Sequence, residues 1–172
     1  MYISIILGTG REGRQSEKVS NYMLQEIKKN NIQGEVIDAR DYRIESTDAS
    51  GISEKAIKYR DIINKSDALI IVSPEYNHGY PGELKMMLDM LYKEYTHKPV
   101  GFCGVSAGGL GGARVVEQLR LVCIEFRMIP IREALYFSTV QNMFDELGNI
   151  KDNTLSSRVK VFLDELVSFK NK

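Results

Sequence analysis

The sequence has little cysteine and no surplus of either charge. Two cysteines in 172 residues cannot build a disulfide framework. Cys103 lies in an apolar run and Cys123 on a helical pattern, and neither has a second ligand at metal spacing. Both read as small buried hydrophobes, no metal site is expected, and a reducing cytoplasm fits. Basic and acidic residues both number 23. That balance argues against a general nucleic-acid footprint while leaving room for a local basic pocket. No apolar run is long enough to span a bilayer, so no membrane role is expected. The first residues, Met1-Tyr2-Ile3-Ser4-Ile5-Ile6-Leu7, lack a basic leader region and run into a glycine-rich turn. They read as a strand rather than a signal peptide. No repeat, low-complexity tract or linker interrupts the chain, so one domain over residues 1–172 is expected.

Short apolar runs alternate with amphipathic stretches. Strands are expected at 2–7, 35–39, 68–72 and 99–105. A fifth lies within 128–138, interrupted by Pro130 and the Arg132-Glu133 pair. Ser16 can cap a helix carrying Val19, Met23 and Ile27 on one face. Ser53 opens a second, with Ile57, Ile62 and Ile63. A third is expected from Gly82 to the neighbourhood of Tyr92, with Leu84, Met87, Leu88 and Leu91. A fourth covers 113–126, with Val116, Leu119, Leu121 and Val122. A fifth starts at Asn153 or Thr154, with Leu155, Val159, Phe162, Leu163 and Leu166. Each strand is followed by a helix. That alternation predicts an α/β fold, a doubly wound five-stranded parallel sheet with helices on both faces. The usual order is 2-1-3-4-5, with a ligand crevice between strands one and three.

Three loops fall at the carboxyl ends of strands one, three and four. The first is Gly8-Thr9-Gly10-Arg11-Glu12-Gly13-Arg14-Gln15-Ser16. It matches the dinucleotide fingerprint G-x-G-x-x-G, but the helix starts later than that tight turn allows. The ribose-binding acid would be Glu35 or Asp38, beyond the usual spacing. Arg14-Gln15 also stands where a P-loop has Lys-Ser/Thr. The loop is readable as a phosphate cradle of backbone amides, the Thr9 and Ser16 hydroxyls, the Arg11 and Arg14 guanidiniums and a helix N-terminus. It is also readable as a plain strand-to-helix turn with solvated arginines. The second loop is Ser73-Pro74-Glu75-Tyr76-Asn77-His78-Gly79-Tyr80-Pro81-Gly82. Its prolines restrict the backbone, and its amides and aromatic faces suit a planar heterocycle. His78 has no nucleophile or carboxylate partner in the pattern, so it reads as a pocket or interface residue rather than a base. Glu75 reads as a hydrogen bonder. The third loop, Ser106-Ala107-Gly108-Gly109-Leu110-Gly111-Gly112, lets backbone approach a ligand edge. Arg114 either reaches the site or lies on the helix surface. Tyr92 and Tyr95 read as packing or interface residues.

Together these loops resemble the NAD(P)H-dependent FMN reductase family of flavodoxin-like proteins, which includes quinone, azo-dye and chromate reductases. The resemblance spans the chain and is most specific over 73–82, continuing through Leu84-Lys85 and Leu88-Asp89. Met86-Met87 departs from it, since family members often carry Asn-Ala there. The resemblance implies an FMN phosphate at Thr9, Arg11, Arg14, Gln15 and Ser16. It implies the flavin ring against Pro74, Glu75, Tyr76, Asn77 and His78, and the pyrimidine edge at Ser106, Gly108, Gly109 and Gly111. It implies ping-pong transfer from NADPH or NADH to a small acceptor: a quinone, free flavin, azo compound or metal oxyanion. No side chain then acts as catalytic acid or base, because the cofactor carries the chemistry. A homodimer or dimer of dimers is implied, with 82–95 as the candidate surface. Three alternatives remain: a flavodoxin-type electron carrier, an FMN-binding redox sensor or partner-binding module, and a Rossmann-type dehydrogenase.

Overall fold

The computed structural model describes residues 1–152 and 154–169. Five strands form one parallel sheet: β1 (Tyr2–Leu7), β2 (Gln33–Asp38), β3 (Ala68–Pro74), β4 (Pro99–Val105) and β5 (Ile129–Phe137). Their order is β2-β1-β3-β4-β5, as expected. The helices are α1 (Ser16–Lys29), α2 (Glu54–Lys65), α3 (Gly82–Leu88), α4 (Ala113–Glu125) and α5 (Leu155–Ser168). Asn153, one of the two candidate starts of α5, lies outside the described residues; Thr154 directly precedes the helix.

Side chains alternate across the pleat. Ile6, Leu69, Ile71, Val100 and Phe102 face α2, α3 and α4. Ile3, Ile5, Ile70, Val72, Cys103 and Val105 face α1 and α5. β3 and β4 are buried along their whole length, which explains their unbroken apolar runs. β1 has β2 on one side and β3 on the other, so the chain winds outward from it in both directions. The crevice between the carboxyl ends of β1 and β3 follows from that reversal.

Several elements differ from the sequence reading. α3 ends at Leu88, and residues 93–95 form a separate 3₁₀ turn. Tyr95 is fully buried, its hydroxyl 2.9 Å from that of Tyr59 and 3.1 Å from the Leu88 carbonyl. That carbonyl, the last of α3, also accepts from the Leu91 amide at 3.3 Å. Tyr95 is therefore core, and Tyr92 alone of the pair is substantially exposed. Leu121 is 71% exposed. It stands two residues, about 200° of helical rotation, from buried Leu119. Ile57 is likewise turned outward, and Ala56, Tyr59 and Ile63 make the buried face of α2. Ser53 caps α2 as expected, accepting from the Ala56 amide at 3.2 Å.

β5 is not broken at Pro130. Its register against β4 shifts between Val100 and Phe102, which marks a bulge. The amides of Arg132 and Glu133 donate to the Glu165 carboxylate, and Arg120 donates to the carbonyls of Ile131 and Arg132. Charged side chains thus satisfy the backbone that the bulge frees from the ladder. Among the described residues no helix is long and apolar enough to cross a membrane.

Candidate functional site

The loops after β1, β3 and β4 enclose a cleft of about 460 Å³ at the carboxyl edge of the sheet. Its walls are residues 11–16, 74–76 and 105–107, with Val140 and Gln141 from beyond β5. A larger cleft, about 650 Å³, lies between residues 47–51 and 89–94, and none of the three loops contributes to it. The smaller one lies where open α/β sheets bind ligands.

The first loop uses its polar groups unevenly. Ser16 is the first residue of α1 rather than its cap, and Gln15 stands before it with no side-chain capping bond. The Ser16 hydroxyl is buried without a hydrogen-bond partner. Beside it lies the first turn of α1, the positive end of the helix dipole, where the Lys18 amide donates to the Gln15 carbonyl at 3.1 Å. Arg14 does not reach into the cleft as a free cation. Its side chain is 1% exposed and forms a bidentate pair with Asp38, donates to the Thr9 carbonyl, and lies 3.3 Å from Glu17. Burial opposes the charge on Asp38. The Arg14 bonds and the Arg40 amide outweigh it and hold the carboxyl below its usual range. Asp38 is therefore committed to the loop's own architecture. Thr9 is buried behind the loop, where its hydroxyl donates to Glu83 at 3.0 Å. Gln15 is half-buried on the cleft wall, and Arg11 is exposed there, its guanidinium 5.6 Å from the Tyr76 ring centroid.

In the second loop, Pro74, Glu75 and Tyr76 line the cleft, and the Glu75 amide donates to the Val105 carbonyl. Asn77 and His78 do not line it. They are the exposed central residues of a tight turn closed by paired backbone bonds between Tyr76 and Gly79. Both have positive φ, 50° and 69°, a conformation that Asn and His visit more readily than most residues. The His78 carbonyl accepts from Gln118. The Glu75 side chain is 8% exposed and paired with Arg114 at 2.8 Å, which places Arg114 beside the cleft wall. Met87 is core, and Met86 is half-exposed.

The third loop contributes Ser106 and Ala107 to the wall. Gly108 and Gly109 are exposed beyond it. Gly111 is buried at φ 60°, where an added Cβ would stand 2.9 Å from Tyr136 Cβ. Its need for glycine comes from β5, not from a ligand. Val140 and Gln141 lie in residues 139–152, which in the sequence read only as a polar connection. Their one signal is position, just past the carboxyl end of β5. Thr139 and Val140 donate to the carbonyls of Gly108 and Ser106, so this segment braces the third loop.

A buried hydroxyl lacking a partner, at a helix N-terminus and beside an exposed arginine, fits an anionic phosphate group. The adjoining Tyr76 face and the backbone of 74–76 fit a flat ring. Sheet order and crevice define the flavodoxin-like class. A flavodoxin variant from Pseudomonas aeruginosa superposes with a TM-score of 0.63 at 15% identity, covering 100% of both chains. FerB, a flavoenzyme NAD(P)H:(acceptor) oxidoreductase from Paracoccus denitrificans, gives 0.82 at 20% identity, covering 99% of this chain and 97% of that one.

Within that class, the sequence model of the NADPH-dependent FMN reductase family matches residues 1–142, and the chain belongs to that family. It is an oxidoreductase that uses FMN with NAD(P)H. An FMN-dependent NADPH-azoreductase from Staphylococcus aureus is 28% identical over 177 residues, covering 97% of this chain and 94% of the relative.

Proposed function

We propose that the chain passes reducing equivalents from NADPH or NADH to a small acceptor in ping-pong order. The acceptor classes are azo compounds, quinones, free flavin and metal oxyanions. The azoreductase name of the Staphylococcus aureus relative supports the first. When bound, FMN supplies the hydride acceptance and donation.

The protein supplies position and charge. The Ser16 hydroxyl, the amides of α1's first turn and Arg11 bind the phosphate. Pro74, Glu75 and Tyr76 wall the ring, with Ser106 and Ala107 at its far edge. Arg14 and Thr9 hold the first loop from behind, and Asn77, His78, Gly108, Gly109 and Gly111 shape the surrounding backbone. Residues 1–172 act as one FMN-binding domain in the cytoplasm. Two copies pair as a homodimer, with exposed Tyr92 at the contact.

The observation that carries this reading is the buried Ser16 hydroxyl with no partner at the mouth of a helix N-terminus. The test is a visible spectrum of the protein, reconstituted with FMN, before and after anaerobic NADPH or NADH. Rapid bleaching, reversed by a quinone or azo dye over many turnovers, is expected. Bound flavin that stays oxidised would make the chain a carrier or sensor. Absence of flavin binding would overturn the site.

A further inference from the structure

Glu83 is the second residue of α3, yet its carboxylate lies against the loop after β1. One oxygen, Oε1, accepts from the Thr9 hydroxyl at 3.0 Å and from the Gly10 amide at 2.9 Å. Thr9 Oγ1 lies 3.2 Å from the Tyr76 hydroxyl and accepts from the Arg11 amide at 3.3 Å. A hydroxyl has one proton to give and two lone pairs. With Glu83 ionised, Thr9 gives its proton to Glu83, so Tyr76 must be the donor to Thr9. Every hydrogen-bonding capacity of Thr9 is then used. The donor chain runs from Tyr76 through Thr9 to a fixed negative charge.

The other side of the same loop is pinned by cations. The carbonyl of Thr9 accepts from Arg14, that of Gly10 from Arg40 and Arg43, and that of Arg11 from Arg40. Burial opposes the Glu83 charge. The amides of Gly10 and of Glu83 itself, the Thr9 hydroxyl and the nearby Arg43 outweigh it and hold its carboxyl below the ordinary value. Glu83 forms no part of the cleft wall, whereas Tyr76 and Arg11 do. One carboxylate behind the site therefore joins the two loops that border the crevice.

We infer that Glu83 is a positioning residue of the flavin site, holding the Tyr76 ring and the 9–11 backbone in one register so that the two walls act as a single preformed site. This rests on reading the cleft as the FMN site. It makes a distinct demand, because a residue that aligns both walls must affect binding of the ring as well as of the phosphate.

The experiment titrates the full-length apoprotein with FMN and with riboflavin, followed by flavin fluorescence. The proteins are the wild type, Glu83→Ala, Glu83→Gln, Thr9→Val, Tyr76→Phe and the Glu83→Ala/Tyr76→Phe double variant. Glu83→Ala is expected to weaken both flavins about tenfold or more, the scale of losing hydrogen bonds to a charged acceptor. Glu83→Gln keeps an acceptor oxygen and recovers most of the affinity. Thr9→Val cuts the same chain and weakens both ligands, which keeps the question answerable if Glu83→Ala does not fold. The effect of Tyr76→Phe should vanish in the Glu83→Ala background.

Wild-type affinity in Glu83→Ala or Thr9→Val would overturn the inference, as would additive effects of Glu83→Ala and Tyr76→Phe. So would a lowered unfolding midpoint with unchanged affinity of the folded protein. If the wild type binds neither flavin, the FMN reading itself falls and the inference falls with it.

Discussion

The loop after β1 is held by charged side chains, whereas the loop after β4 is held by backbone packing and the neutral side chains of Ser106 and Gln141, which donate to the carbonyls of Gly108 and Ala107. In the first, guanidiniums and a carboxylate reach the backbone of residues 9–11. In the second, Gly111 and Gly112 lie close against Tyr136, Gly104 and Val105, and residues 139 and 140 donate to the carbonyls of 108 and 106. Both end at one cleft, but they fail differently. A side-chain clamp can be removed one group at a time, and its strength depends on ionisation. A backbone contact has no charge to titrate and no room for even one added methyl group.

The backbone-packed loop is most vulnerable at Gly112. Its φ is 82°, and a Cβ there would stand 2.6 Å from the Val105 amide nitrogen. Gly112→Ala is expected to cost about 3 kcal/mol or more, combining left-handed strain with a clash against immobile backbone. Urea unfolding would read this as a lower midpoint. A shift within experimental scatter would mean that the third loop is not backbone-defined.

Next is Arg14→Ala. Arg14 is buried while Asp38 keeps partial access to solvent, so the loss should be about 2–3 kcal/mol, below the range for fully buried pairs. Asp38 has a lowered carboxyl value in the folded chain, so its contribution is fully present above the unfolded value of about 4. It is lost as pH falls through the lowered folded value. The stability gap between wild type and variant should therefore narrow on acidification through that range. A gap that holds constant would show that the loss comes from packing alone.

The smallest effect is expected at Ser16, and its sign is the informative part. Ser16→Ala removes a buried hydroxyl that has no partner. Stability should stay level or rise, by up to about 1 kcal/mol, while the FMN dissociation constant rises about tenfold. Opposite signs in a thermal melt and a flavin titration would mark this hydroxyl as built for a ligand. Loss of stability together with unchanged affinity would assign it to the fold.

Fold class and the three loops are readable because each rests on local pattern, whereas strand order follows only from the usual order of such sheets. Unbroken apolar runs mark β3 and β4, helical spacing marks the buried face of α1, and glycine clusters mark turns. The roles of individual polar residues were not readable to the same degree. Thr9 and Arg14 sit in the loop expected to hold a phosphate, yet both bond to its own architecture. Their partners, Glu83 and Asp38, are 74 and 24 positions away. Nothing in the local sequence states which arginine of a cluster will find a buried carboxylate. The end of α3 is no more legible, since the chain beyond it tightens into three-residue turns and folds the Tyr95 hydroxyl back onto the Leu88 carbonyl, seven residues away.

By itself, then, the sequence determined the doubly wound α/β class and the place of the three loops; strand order and crevice rested on the usual order of such sheets, and the family on a resemblance of motifs. Hydrophobic periodicity and turn chemistry act over a few residues and survive without knowledge of distant neighbours. Only the tertiary structure decided which polar groups remain for a ligand. A hydrogen-bonding group is available only when no other part of the fold has claimed it, and the claimants come from different strands and helices. The Ser16 hydroxyl stayed free, Arg14 went to Asp38, and the Glu83 carboxylate reached from α3 to the loop after β1.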